Sequence, residues 1–201
     1  MFIQLMEART NDAEAVHRQM QRWERELMPG AIGYLGSTGG CTSSGECVVV
    51  ARFTDADSAR RNSERPEQGD WWKETEACFD GPVRFRETTD VDIMTHGDLD
   101  RARFVQVMDG RVADKERAKQ LTVDADPILA ENRPELLGAV TGYFDGDEFV
   151  ELAYFTDEAA ARAGEAQEFS ADAAELIAEW QRVLAIERYR DLADPWLTSN
   201  S

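Results

Sequence analysis

The chain writes its first line twice. It begins "FIQLMEARTND", Phe2 to Asp12, and 102 residues later reads "FVQVMDGRVAD", Phe104 to Asp114. Phe, Gln, Met, Arg and Asp return at the same relative positions. A second pair of windows agrees at the same offset. Glu46, Val48, Ala51, Phe53, Thr54, Asp55, Ala59 and Arg60 reappear as Glu148, Val150, Ala153, Phe155, Thr156, Asp157, Ala161 and Arg162. Chance gives about one match per window at ordinary residue frequencies. A fixed period of this length is a duplicated domain rather than a solenoid, whose repeats are far shorter. Between the windows Gly33 is paired with Gly138, a shift of 105, which implies a slipped register, a longer helix-to-strand loop and a shorter hairpin in the second copy.

Each copy is a run of elements. Phe2–Arg9 is apolar on both alternating faces, as a strand covered on both sides must be. Asn11 or Asp12 can cap the helix that follows. Its stripe, Ala13, Val16, Met20, Trp23 and Leu27, has helical spacing, and Pro29-Gly30 ends it. Ala31–Thr38 reads as a strand, "STGGCTSSGE" as a hairpin connection, and "CVVVARF" as a third strand. Thr54 or Asp55 caps a second helical region, broken at Pro66 and running to Phe79. Val83–Glu87 alternates as a fourth strand. The second copy repeats the order: a strand at Arg103–Asp109, a helix at Lys115–Ala130, strands at Leu136–Tyr143 and Glu148–Phe155 around an Asp-Gly turn, a helix from Glu158 to about Arg182, and a strand near Leu184–Tyr189. The order β-α-β-β-α-β is the ferredoxin-like pattern. Residues 1–95 therefore form the first repeat and 102–192 the second. Residues 96–101 are a linker and 193–201 a tail. Helices on one face of each sheet leave the other face to be covered by a second sheet. The expected fold class is α+β: two ferredoxin-like repeats in one chain forming a pseudodimeric α+β barrel.

Charge narrows the partners. With 40 acidic and 22 basic residues the net charge is −18, which repels nucleic acid and anionic lipid alike. No apolar run has the ~18 residues of a membrane span, and no basic region followed by an apolar stretch marks a secretion signal. The three cysteines, Cys41, Cys47 and Cys78, are an odd count. A disulfide framework is not expected and a reduced cytoplasmic setting is. Cys41 and Cys47 read either as a surface thiol pair open to oxidation or, for Cys47, as a buried strand residue.

The doubled "FxQxM" strands, together with "ARFTDADSAR" and "AYFTDEAAAR" at the strand-to-helix junctions, resemble the dimeric α+β barrel superfamily, in particular its antibiotic-biosynthesis-monooxygenase-like branch. Members pair two chains to complete a barrel; this chain is similar to two such protomers fused. The resemblance implies a small-molecule ligand and a cofactor-independent, monooxygenase-like enzyme acting on a small aromatic or polyketide-like substrate. The alternative is a non-catalytic small-molecule-binding or stress-associated protein of the same fold.

The candidate site residues follow. In relatives of the family an Asn on the first strand touches the substrate or haem, and Gln4 and Gln106 are similar in chemistry. Their structural alternative is a bridge between pseudo-symmetry mates, since buried amides need partners. Trp72 resembles the family's pocket Trp. Trp71 stands about 100° from it on the helix, so only one of the two is expected to face the pocket, the other serving an interface or the core. The second copy has Ala173-Ala174 there, and its Trp180 aligns with Phe79 as core. Trp23 supplies a second apolar wall. His17 flanks the first helix's stripe as a candidate base or as a surface residue. His96 lies in "MTHGD". Relatives that degrade haem carry a His near the end of the second helix; "EACFDGPV" and "EWQRVLAI" have none, which argues against haem. In family monooxygenases an Asn and a Trp on the second helix position substrate. Here Asn62 precedes Trp72 by ten residues and across Pro66, a departure from that spacing. Arg9 and Arg111 end the first strands, either as anion ligands at a rim or in salt bridges. No metal-ligand spacing is present, so metal and cofactor are both expected to be none.

Overall fold

Four aspartates begin four helices, and they repeat at the same offset as the sequence. In a computed structural model describing residues 1–167 and 171–199, without the side chains of 171–173, Asp12 accepts a hydrogen bond from the Ala15 amide at 2.9 Å. Asp55 does so from Ser58 at 2.7 Å, Asp114 from Arg117 at 3.0 Å and Asp157 from Ala160 at 2.8 Å. Each satisfies an otherwise orphaned first-turn amide. Ala173, expected opposite the tryptophan pair, lies outside the residues whose side chains are described.

The first unit comprises residues 1–90 and 194–201. Its elements are β1 (Phe2–Arg9), α1 (Ala13–Glu26), β2 (Tyr34–Cys41), β3 (Glu46–Phe53), α2 (Ala56–Ser63), α3 (Pro66–Glu76) and β4 (Arg84–Thr88). The second unit, residues 91–193, begins with β5 (Val91–Thr95). It continues through β6 (Phe104–Val112), α4 (Lys115–Asn132), β7 (Leu136–Tyr143), β8 (Glu148–Phe155), α5 (Glu158–Glu165), α6 (Ala171–Val183) and β9 (Leu184–Leu192). The chain then returns to the first unit as β10 (Trp196–Ser199). Each unit has the expected βαββαβ order, and each sheet is antiparallel: β10-β2-β3-β1-β4 and β5-β7-β8-β6-β9.

Several expectations change. Val91–Thr95, placed by sequence in the first repeat, is the edge strand of the second sheet, and the supposed tail 193–201 carries the edge strand of the first. Both segments are too short to show a strand period. The register does not slip either. Tyr34 faces Phe53 and Gly36 faces Arg52 across a bulge; Leu136 faces Phe155 and Gly138 faces Tyr154 across another. Gly36, not Gly33, is the mate of Gly138. The hairpin connections are equally long, and the second copy has the shorter helix-to-strand loop because α4 runs further than α1. The two glycines do the same work. Gly36 has φ +148°, and a Cβ there would lie 2.5 Å from the Thr198 carbonyl oxygen of β10. Gly138 has φ +152°, and its Cβ would lie 2.3 Å from that of Met94 in β5. Each admits its sheet's fifth strand.

The cysteines also differ from expectation. Cys41 and Cys47 face each other in register on β2 and β3, with Cα atoms 4.0 Å apart, and form a disulfide. The tight hairpin joining β2 and β3 brings the two side chains directly opposite, a contact the odd cysteine count hid. The bridge removes the cysteine-based reason for a reducing compartment. Cys78 is free. Among the described residues no helix is long and apolar enough to cross a membrane.

In the first unit the buried core lies between sheet and helices, with Met6, Val16, Cys47 and Phe79 in one cluster and Phe2, Tyr34, Phe53 and Ala59 in another. In the second, Val112, Tyr143, Phe149 and Leu184 pack together, with Trp180 against them as expected.

Candidate functional site

Between the first sheet and its helices lies a cavity of about 360 Å³, the size of a small-ligand site. The strand period builds its floor. Residues two apart share a face, so β1 presents Gln4 and Met6, β3 presents Val49, Ala51 and Phe53, and β4 presents Phe85 and Glu87. Helix α1 contributes Met20 and Trp23, one turn apart. Asn62 and Ser63 come from the end of α2, and Gln68, Trp71 and Trp72 from α3.

The break between α2 and α3 decides which helical residues arrive. Pro66 begins α3 where a proline costs no hydrogen bond. Arg65, at the corner, donates to the Leu27 carbonyl at 3.0 Å and to the Asn62 amide oxygen at 2.9 Å. The corner turns the chain so that buried Asn62 and Trp72 border one space. Their long separation in sequence is therefore no obstacle.

Both tryptophans line the cavity, which corrects the expectation that only one would. Trp71 is buried and donates from Nε1 to the Gln19 carbonyl at 2.9 Å. Trp72 leans toward β4, its ring 5.2 Å from that of Phe85. The two indoles are 6.0 Å apart and tilted by 50°. Side chains diverging by ~100° at the helix still border one cavity when the rings are long and the cavity is wide. Trp23 closes another wall, 4.8 Å from Tyr34 and 6.5 Å from Trp71, and its Nε1 donates to Gln68 Oε1 at 2.7 Å. Gln68 and Glu87 did not stand out in the sequence. The signal for Glu87 was its place opposite Gln4 on the neighbouring strand, which needs the sheet order to be known.

Gln4 donates from Nε2 to Glu87 Oε1 at 2.6 Å. Gln106 does the same to Asp191 at 3.1 Å in the second unit, where Arg162 also binds Asp191. Each glutamine is thus paired with a carboxylate on the adjacent strand of its own sheet. Gln4 borders the cavity as well. Glu87 is the one carboxylate on the cavity wall among the described residues. Tyr34 also lines it; burial pushes its phenol up, opposed by hydrogen bonds with Ser37 and Thr198, so it stays neutral at physiological pH.

Three sequence candidates lie elsewhere. His17 does not reach the cavity. Its ring stacks on Trp196 at 4.7 Å and 9° and borders a second hollow, of about 220 Å³. Arg9 is exposed, 3.6 Å from Glu46, and donates to the Ser44 carbonyl at 3.1 Å. Its mate Arg111 donates to the Gly146 carbonyl at 2.7 Å and approaches Glu187 at 3.7 Å. Both arginines pin the facing hairpin. Gln106 belongs to the second unit. His96 meets Asp126 at 2.8 Å. Among the described residues no group of three or more His, Cys, Asp or Glu is placed to hold a metal ion.

The arrangement is an aromatic slot with an amide–carboxylate pair on one side. It suits a flat, largely apolar ligand carrying an oxygen near Gln4.

No family model matches the sequence, and no curated protein does. Solved structures do match along the whole chain. A protein of Lactobacillus acidophilus NCFM provisionally assigned as a monooxygenase is 12% identical, with 98% of this chain and 99% of that one covered and a TM-score of 0.70. One from Fusobacterium nucleatum subsp. nucleatum ATCC 25586, assigned in the same provisional way, is 10% identical over 100% and 94%, at 0.75. An anthrone oxidase-like protein is 11% identical over 98% and 92%, at 0.68. At such identities the likeness is one of fold: this chain has the tandem α+β fold of these solved structures.

Proposed function

We propose that the protein is a cofactor-independent, monooxygenase-like enzyme acting on a small aromatic or polyketide-like substrate held in the first unit's cavity. The observation that carries this reading is the aromatic slot with the Gln4–Glu87 pair at its side. Trp23, Trp71 and Trp72 wall the ring system. Gln4 orients a substrate oxygen through its second N–H. Glu87, rather than the distant His17, accepts a proton from a methylene activated by that oxygen. The carbanion then reacts with dioxygen. In balance, the methylene loses both hydrogens and gains one oxygen atom as a carbonyl, and the other oxygen atom leaves with the two hydrogens as water. Asn62 and Ser63 supply polar contacts at the helical side.

The test is oxygen uptake with a panel of anthrone- and quinol-type substrates, comparing wild type with Trp72→Ala and Glu87→Gln. Uptake that falls in both variants supports the assignment. Uptake no faster than without protein, across the panel, refutes catalysis. A ligand-binding protein without turnover is the second reading, favoured by the position of His17, the first repeat's one histidine, outside the cavity. Saturable binding of the same compounds without uptake would support it.

A further inference from the structure

The second hollow is built by the returning C-terminal strand. β10 pairs with the open edge of β2, and Thr198 Oγ1 meets both the Tyr34 hydroxyl at 2.5 Å and Ser37 Oγ at 2.8 Å. Trp196 fixes the segment against α1 through its stack on His17. The space left between α1 and this strand holds about 220 Å³. It shares a wall with the aromatic cavity: Met20, Trp23, Ser37 and Val49 border both. Met20 is an unbranched thioether side chain, the kind that repacks most readily.

The chemistry of the two spaces differs. The first is mainly apolar. The second carries the carboxylates of Glu24 and Asp194 at its rim, and no lysine or arginine is among the described residues that line it. Neither carboxylate is in a salt bridge among the described residues. With a net charge of −18 behind them, they favour a cation and repel an anion.

We propose that this hollow is a second subsite, which receives a positively charged amine borne on a short arm by the aromatic ligand of the first cavity. It rests on the reading that the first cavity binds an aromatic body. The ligand class is then an amino-substituted aromatic, its ring among the tryptophans and its ammonium group between Glu24 and Asp194, with Met20 turned aside to let the arm pass.

The experiment uses the whole chain and two probes, an anthraquinone with an aminoalkyl side chain and its N-acetylated counterpart, titrated by calorimetry. The amine should bind about fivefold more tightly at low ionic strength, the range of two partly exposed ion pairs. The preference should vanish in Glu24→Gln/Asp194→Asn, while the acetylated probe binds as before. Equal affinity of the two probes in wild type overturns the proposal, and so does a preference that survives in the double variant, which would mark a general attraction to an acidic protein. If the acetylated probe does not bind at all, the reading of the first cavity fails instead.

Discussion

The duplication supplies its own control for the polar end of the cavity. Gln4 and Gln106 occupy the same position in the two sheets and make the same bond, but only Gln4 borders the mapped cavity. Consider Gln4→Leu and Gln106→Leu. Losing the Gln4 bond returns Glu87, which is exposed, to water, so the stability cost sits at the low end for a hydrogen bond, about 0.5 kcal/mol. Gln106 is 8% exposed, but Asp191 keeps Arg162 and no carboxylate is orphaned; about 1 kcal/mol is expected. For a chain of this size that lowers the melting temperature by about 2–4 °C. Binding should separate the two variants. If Gln4 holds a ligand oxygen, its loss costs about 1.4 kcal/mol, a tenfold weaker Kd, and Gln106→Leu leaves the Kd unchanged. Calorimetric titration with a quinone-bearing aromatic, beside thermal melts, reads both quantities. The reasoning is refuted if Gln4→Leu binds within twofold of wild type, or if both variants weaken binding equally.

Two further outcomes follow from groups away from the cavity. Burial pushes the Glu151 carboxyl up, opposed by the hydrogen bond from Thr141 Oγ1 at 2.8 Å; a raised carboxyl stabilises the fold below its unfolded value, and that contribution is lost as pH rises through the folded one. Glu151→Gln should therefore raise the melting temperature near pH 7 and do so progressively less toward about pH 4; a gain independent of pH contradicts this. Reducing the Cys41–Cys47 bond should cost about 2 kcal/mol by the loop-entropy model, seen in denaturant melts with and without a dithiol, and an unchanged midpoint would show that the hairpin holds without it.

The fold was legible where the sequence repeated identities: β1, β3 and the Asp-capped helix starts follow directly from the shared offset. It was misread where the constant offset was abandoned. Gly36 and Gly138 share a bulge and stand 102 residues apart, as do Leu35 and Leu137, yet a shift of 105 joined Gly33 to Gly138. β5 was read into the first repeat and β10 into the tail because four or five residues are too few to carry a period; what makes them strands is the open edge they meet. For the site, Gln4 stood out as a polar residue within an apolar strand, Trp23 in its helix's apolar stripe, and Trp71, Trp72 and Asn62 through the family resemblance; all border the cavity. Glu87 and Gln68 are ordinary surface types and acquire meaning only from what lies across from them. His17 and Arg9 drew notice for their chemistry, but helix phase and the facing hairpin send them elsewhere.

The return of β10 to the first sheet makes the first unit discontinuous in sequence, with the second unit enclosed within it. Order of synthesis then runs against order of completion. Emerging chains fold domain by domain from the N-terminus, but here the second sheet has all its strands by Leu192, while the first waits for Trp196–Ser199. The half made first is finished last. Cutting the chain before Trp196 would pass over the intact second half and strip an edge strand from the sheet that floors the aromatic cavity.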